Sequence, residues 1–302
     1  CEQEPQPVGS ATLGYYKGDT SALAIIAAEK GFYAERGLQV DMVPFAAGKL
    51  ATDAMLAGDV DYATAADLVF AYAVADKADV VTLASMARSN VNHLVARRDA
   101  GIEGIEDLAG AKVGLTRGSQ AEFYLARMLE ARGMSVNQLD VVDMKPQALS
   151  DALVRGDLDA VLFWEPHVTR AEERLGENAV SWPAQSGQDF YWLLLAPRGE
   201  YDERVARAML GGLLQAARWM QSHPEEATRV LAGHLDKPQE LVARMLRMQD
   251  FRVGLSQGLI LALEDETRWI MSANGGPMPN YLEYIDTAPL DDVRPRAVTM
   301  VH

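Results

Sequence analysis

Residues 111–124, Ala-Lys-Val-Gly-Leu-Thr-Arg-Gly-Ser-Gln-Ala-Glu-Phe-Tyr, hold the clearest chemistry in the chain. Lys112 to Thr116 reads as a short strand, and Gly118 permits a tight turn. Ser119 is a good helix N-cap, and Glu122 three residues later completes a capping box. Leu125, Met128 and Leu129 continue one apolar helix face, which Gly133 ends. A strand that turns at glycine into a helix leaves backbone N–H groups at the turn. With the helix dipole behind them, those donors suit an anionic or strongly accepting ligand group. The other reading is an ordinary strand-to-helix turn whose donors are met by Ser119 and water.

Similar elements run along the rest of the chain. Strands are expected at Ser10–Tyr15, Leu38–Phe45, Val60–Thr64 and Val80–Met86, with helices between them ending at Gly37 and Gly58. A second unit follows, with strands at His93–Arg97, Lys112–Thr116, Leu139–Met144, Asp159–Trp164 and Phe190–Ala196. From Tyr201 the chain is mostly helical up to a break at 274–279, and the remainder is expected to wrap the surface. The βα rhythm predicts mostly parallel sheets covered by helices. Ala54-Met-Leu-Ala-Gly-Asp-Val-Asp61 and Ala152-Leu-Val-Arg-Gly-Asp-Leu-Asp159 repeat one pattern at matching places, which points to two similarly built lobes.

Composition narrows the function. The 302 residues carry a formal net charge of −15, with 43 acidic against 28 basic side chains. That argues against nucleic acid, which calls for a basic stripe, and against broad adhesion to anionic lipid. It leaves room for a small anion held by local donors. No apolar run reaches about 18 residues, the length that spans a bilayer. The one cysteine is Cys1, so no internal disulfide forms, and the 5 histidines never fall at metal-ligand spacing. No metal or cofactor is expected. There is no Gly-x-Ser-x-Gly elbow, no His-Glu-x-x-His and no P-loop, so an enzyme is not expected.

Several segments, taken together, resemble the substrate-binding proteins of ABC importers, in the branch that holds sulfonate, taurine, nitrate and thiamine-precursor binders. They are Leu13-Gly-Tyr-Tyr-Lys-Gly18, Glu29-Lys-Gly-Phe-Tyr-Ala-Glu-Arg-Gly-Leu38, Phe45-Ala-Ala-Gly48, Leu56-Ala-Gly-Asp-Val-Asp61, Ile105-Glu-Asp-Leu-Ala-Gly-Ala-Lys-Val113, Thr116-Arg-Gly-Ser119, Gly156-Asp-Leu-Asp-Ala160 and Trp164-Glu-Pro166. The resemblance implies an α/β, two-lobe periplasmic-binding-protein fold (type II-like) with the ligand cleft between lobes joined by two crossings. One lobe is expected at 10–90 plus 198–302 and the other at 91–197. Cys1 followed by the polar, proline-rich Glu2–Gly9 resembles a lipoprotein anchor and tether. The expected protein is a lipid-anchored periplasmic or cell-surface monomer. It captures a small anion, of sulfonate type, and delivers it to a permease with ATP-binding subunits. The alternative ligand is a neutral or cationic heterocycle such as a thiamine pyrimidine precursor.

In such folds ligands meet the C-terminal ends of the strands. The expected contacts are therefore Tyr15, Tyr16, Lys17, Phe45, Gly48, Ala65, Ala66, Asp67, Arg88, Asn90, Gly118, Ser119, Gln120, Trp164, Glu165 and Trp192. Arg88 and the donors after Gly118 are expected to converge on an anionic head. Asp67 also reads as a helix cap. Glu165 reads as a partner of its helix dipole or, facing ligand, as a preference for positive charge. Ala46, Ala47, Ala65, Ala66 and Ala121 stand where the sulfonate branch often carries Ser or Thr. Fewer hydroxyls leave room for a bulkier, more apolar ligand.

Overall fold

The computed structural model describes residues 7–301, so the expectation at Cys1 lies outside the described residues. The chain divides into two compact units. The first comprises residues 1–89 and 190–302 and the second residues 90–189, so the chain passes between them twice.

The first unit opens with β1 (Gly9–Tyr16), α1 (Ala22–Glu29), β2 (Leu38–Phe45), α2 (Gly48–Leu56), β3 (Tyr62–Ala66), α3 (Asp67–Ala75) and β4 (Val80–Ser89). Helix α1 has no polar face, and Ala22 to Ala27 are all buried. The second unit contains β5 (Asn92–Arg97), β6 (Lys112–Leu115), α4 (Gln120–Glu130), β7 (Asp140–Asp143), α5 (Pro146–Arg155), β8 (Ala160–Trp164), α6 (His167–Leu175) and β9 (Ala179–Pro183). Its sheet runs β7-β6-β8-β5-β9. Leu149, Leu153, Val161, Phe163 and Val168 form its core between α5, α6 and the sheet. The chain then returns with β10 (Phe190–Pro197), α7 (Glu203–Ser222), α8 (Pro224–Leu235), α9 (Gln239–Arg247), β11 (Gln249–Asp250), α10 (Gln257–Asn274) and α11 (Ala288–Val293).

Residues 190–197, expected in the second unit, form an interior strand of the first. Its sheet runs β11-β4-β10-β3-β1-β2. Strand β10 is antiparallel to both β3 and β4, so the sheet is mixed rather than mostly parallel. Phe190 to Ala196 is unbroken apolar sequence, which suits a strand covered on both faces and does not reveal its direction. The C-terminal segment does more than wrap the surface. Tyr281, Ile285 and Leu290 are buried, and the Asp286 N–H donates to Thr82 O at 3.0 Å.

The repeated Gly-Asp-x-Asp segments build the same clasp twice. Gly58 and Gly156 end α2 and α5 with φ of 80° and 84°, a region that favours glycine. The Asp59 N–H then reaches Ala54 O and the Asp157 N–H reaches Ala152 O, both at 2.9 Å. In each unit the second Asp grips the strand beside it. Asp61 Oδ2 accepts the Thr12 N–H at 2.7 Å, and Asp159 Oδ2 accepts the Lys112 N–H at 2.8 Å. One carboxylate thus fixes the register of β3 on β1, and the other that of β8 on β6.

Two carboxyls are fully buried where α3 packs on α10. Asp67 Oδ1 accepts the Leu68 N–H and Oδ2 the Tyr191 N–H, each at 2.9 Å. Glu266 is its neighbour. Burial, which outweighs those hydrogen bonds, pushes Asp67 up to about 7. Burial and then the charge of Asp67 hold Glu266 well above the carboxylate range. Both shifts are upward, so the folded protein binds more protons than the unfolded chain above the ordinary carboxylate range of about 4. Stability from the pair is full below that range and falls as pH rises through about 7. Glu266→Gln keeps the shape and removes one charge. Thermal melts at about pH 5 and about pH 8 are expected to show a smaller loss in the variant than in the wild type, at roughly 2–4 °C per kcal/mol. Equal losses refute the assignment.

Candidate functional site

Strand direction gathers the expected residues at one edge of each sheet. In the first unit, Tyr16 pairs with Phe45, Trp192 with Ala66, and Phe190 with Ser89. The C-terminal ends of β1 to β4 and the start of antiparallel β10 therefore lie together. In the second unit, Leu115 pairs with Asp143 and Asn92 with Trp164, which brings Asn90, the Thr116–Ser119 turn and Trp164-Glu165 to one edge.

The first edge is built around an aromatic pair. Tyr16 and Trp192 have ring centroids 5.7 Å apart, and Phe190 lies 6.1 Å from Trp192. The Trp192 Nε1–H donates to Ser21 Oγ at 3.2 Å, and the Tyr16 N–H donates to Thr64 Oγ1 at 3.3 Å. The two hydroxyls are 3.3 Å apart, so one network ties the Trp192 ring to the Tyr16 backbone. Burial and then the nearby Asp19 carboxylate push the Tyr16 phenol up to about 12. Tyr15 points the other way, as strand alternation requires. It is buried, and its hydroxyl bonds His234 Nε2 at 2.8 Å.

Gly48 opens α2 against this pair. A Cβ there would sit 2.9 Å from Ala65 Cα and 2.9 Å from Trp192 Cη2. The close approach seats the start of α2 beside Ala65 and Ala66, both buried. Ala47 at its N-cap supplies no side-chain cap. Phe45 is half-buried, and Ala46 and Ala47 are exposed. Lys17 is exposed, and its N–H donates to Phe45 O at 3.1 Å, so it stands next to this helix start. Among the described residues no ion pair holds the Lys17 ammonium.

Apart from Lys17, the charged residues expected at the edge are engaged locally. Asp67 is fully buried and opens α3 rather than capping it: the N-cap is Ala66, and the Asp67 carboxylate accepts the Leu68 N–H from within the first turn. The Arg88 Nε–H and Nη2 reach Asp250 Oδ2 at 3.0 and 2.9 Å. In the second unit the opening turn receives a carboxylate of its own. The Gly118 N–H donates to Glu122 Oε2 at 2.9 Å, and Ser119 Oγ accepts the Ala121 N–H at 3.3 Å. Gln120 begins α4 directly behind this cap. Glu165 accepts the Thr169 N–H at 3.1 Å and so caps α6. Trp164 is half-buried and meets His167 edge-on at 6.3 Å. Ser21, Asp19 and Gln249 were missed by sequence reasoning, whereas Thr64 stands at the end of a strand expected to reach the ligand. Ser21 and Asp19 sit in segments read only as cap and turn, and Gln249 follows a helix with no strand signal.

A cavity of about 740 Å³ in the first unit lies at the opposite edge, lined by Ser10, Tyr62, Asp61 and Pro197. It flanks the Asp61 clasp and holds none of the expected contacts.

A family model described as NMT1/THI5 like matches residues 20–227. A Haemophilus influenzae relative named for thiamine biosynthesis is 27% identical over 236 residues, covering 77% of this chain and 74% of its own length. An Escherichia coli relative named for binding aliphatic sulfonates is 22% identical over 243 residues, covering 78% and 74%. The crystal structure of the periplasmic aliphatic sulphonate binding protein from Escherichia coli matches with a TM-score of 0.80 at 19% identity, covering 92% of each chain. The fold is thus that of periplasmic binding proteins, in two mixed sheets with helices.

Gly48→Ala tests the packing of this edge. The added carbon meets backbone at Ala65, which has no room to yield, so a loss of roughly 1–3 kcal/mol is expected. Trp192 should also move, and denaturant unfolding with tryptophan emission reads both. Unchanged stability and emission would show that the approach is looser than described.

Proposed function

The chain belongs to the NMT1/THI5-like family, and from that premise we propose that it is the solute-binding component of an ABC importer. Its activity is capture and delivery, and its partner is a permease with ATP-binding subunits. The solute is a small organic anion of sulfonate type. One observation carries this choice: the start of α2, without a side-chain cap, stands next to the unpaired Lys17 and beside the Tyr16–Trp192 pair. Backbone donors and a lysine favour an anionic head, and the rings favour an organic body. The E. coli relative named for aliphatic sulfonates supports the same class. The anion head is assigned to the α2 start rather than to Arg88 or Gly118, because Asp250 and Glu122 already occupy those donors.

A second reading has its own support. The H. influenzae relative is named for thiamine biosynthesis, and an aromatic pair, Trp192 buried and Tyr16 half-buried, also suits a flat heterocycle. Placement outside the cytoplasmic membrane follows the periplasmic relatives, and among the described residues no helix is long and apolar enough to cross a membrane. Anchoring through a lipid on Cys1 completes the proposal. Cys1→Ser in the full precursor should then shift the protein from the membrane fraction to the soluble one.

Titration calorimetry of the purified protein with ethanesulfonate, nitrate and an aminopyrimidine separates the readings. A sulfonate ligand is expected, stabilising the fold by about 2.7 kcal/mol at 100 times its Kd. Lys17→Ala should weaken it about tenfold, or roughly 1.4 kcal/mol. An unchanged affinity in that variant would remove the anion head from this position.

A further inference from the structure

The turn after β1 carries a carboxylate that anion binding does not use. Asp19 is half-buried, and the Gln249 Nε2–H donates to its Oδ2. A carboxylate only accepts, so this bond fixes the Gln249 amide with its Oε1 turned away. That Oε1 is buried and meets no donor among the described residues, and the Thr20 hydroxyl is buried and without a partner as well. A buried acceptor without a donor is rare in a folded protein and calls for an explanation.

Strand register places these groups. Gln249 lies opposite Ser89, and Ser89 opposite Phe190, so alternation puts Gln249, Phe190 and Trp192 on one face of the sheet. Asp250, Arg88 and Tyr191 lie on the other face. The Arg88 guanidinium, bound to Asp250, is therefore turned away from Asp19. Lys237 is the cation that acts on Asp19, yet burial dominates and pushes the carboxyl up to about 6. The Tyr16 ring lies beside the same turn, because a Cβ on Gly18 would fall 2.1 Å from it. Asp19 and Gln249 thus border the ring pair from the side opposite to Arg88.

We propose that Asp19 and the Gln249 carbonyl form an acceptor subsite that takes an N–H donor of the solute, an ammonium or an amino group, while its body lies against Tyr16 and Trp192. The inference rests on the solute-binding reading and narrows it: the solute carries an amine as well as any anionic head.

The test is calorimetry on the full chain with ethanesulfonate, 2-aminoethanesulfonate and an aminopyrimidine that has no sulfonate. The wild type is expected to bind the aminated sulfonate at least about tenfold more tightly than ethanesulfonate. Asp19→Asn should bring that ratio close to one, and Gln249→Leu should lower it by less. Thermal melts of both variants show that they fold, and either one suffices for the ratio. Equal wild-type affinities for the two sulfonates overturn the subsite and leave sulfonate binding standing. So does a ratio that both variants preserve. Binding of the aminopyrimidine alone, lost in Asp19→Asn, supports the subsite and removes the sulfonate head. A wild type that binds none of the three overturns both.

Discussion

The organisation of the first unit depends on one ladder, in which β10 lies between β3 and β4 and antiparallel to both. Reversal puts the start of β10 level with the ends of the strands beside it. That is why Trp192, remote in sequence, stands next to Tyr16 and Gly48, with Phe190 against it. The same ladder brings the Tyr191 N–H to Asp67, the buried carboxylate at the start of α3. A parallel strand here would carry those aromatics to the far edge of the sheet.

Charge at this edge is divided rather than simply positive. The protein is acidic, and its cations near strand ends are mostly spent on neighbours: Arg88 on Asp250 and Arg117 on Glu122. Exposed pairs of this kind contribute little to stability, but they decide which charges a solute meets. What remains is Lys17 near the α2 start and, two residues on in the same turn, Asp19 with Gln249. Under the proposed reading, donors, acceptors and rings gathered together select by pattern, and a simple anion satisfies only part of it.

Local signals made much of the fold legible. Glycine stops, apolar alternation and a proline at the start of a helix located most strands and helices, because each depends on residues close in sequence. The Ala54–Asp61 and Ala152–Asp159 echo was readable too, and the structure supplies its cause. In both copies the final Asp must present a carboxylate to the N–H of a neighbouring strand, so the spacing from the helix stop is fixed. Strand β9 and the two-residue β11 gave no such signal. A strand that short forms only because β4 offers it an edge.

By itself the sequence determined the two-lobe α/β class, the capped start of α4, the aromatic and glycine content of the strand ends, and the acidic balance that sets nucleic acid aside. These follow from residue type and short spacing. Only the tertiary structure decided which of those residues act together. Tyr15 and Tyr16 are adjacent in sequence, yet one bonds His234 and the other faces Trp192. Arg88 looks free in the sequence and is held by Asp250, which lies 162 positions away. Asp19 reads as a turn residue until Gln249 arrives from a strand 230 positions on. Partner choice across such distances is set by strand order and pleat, and no local pattern of residues encodes either.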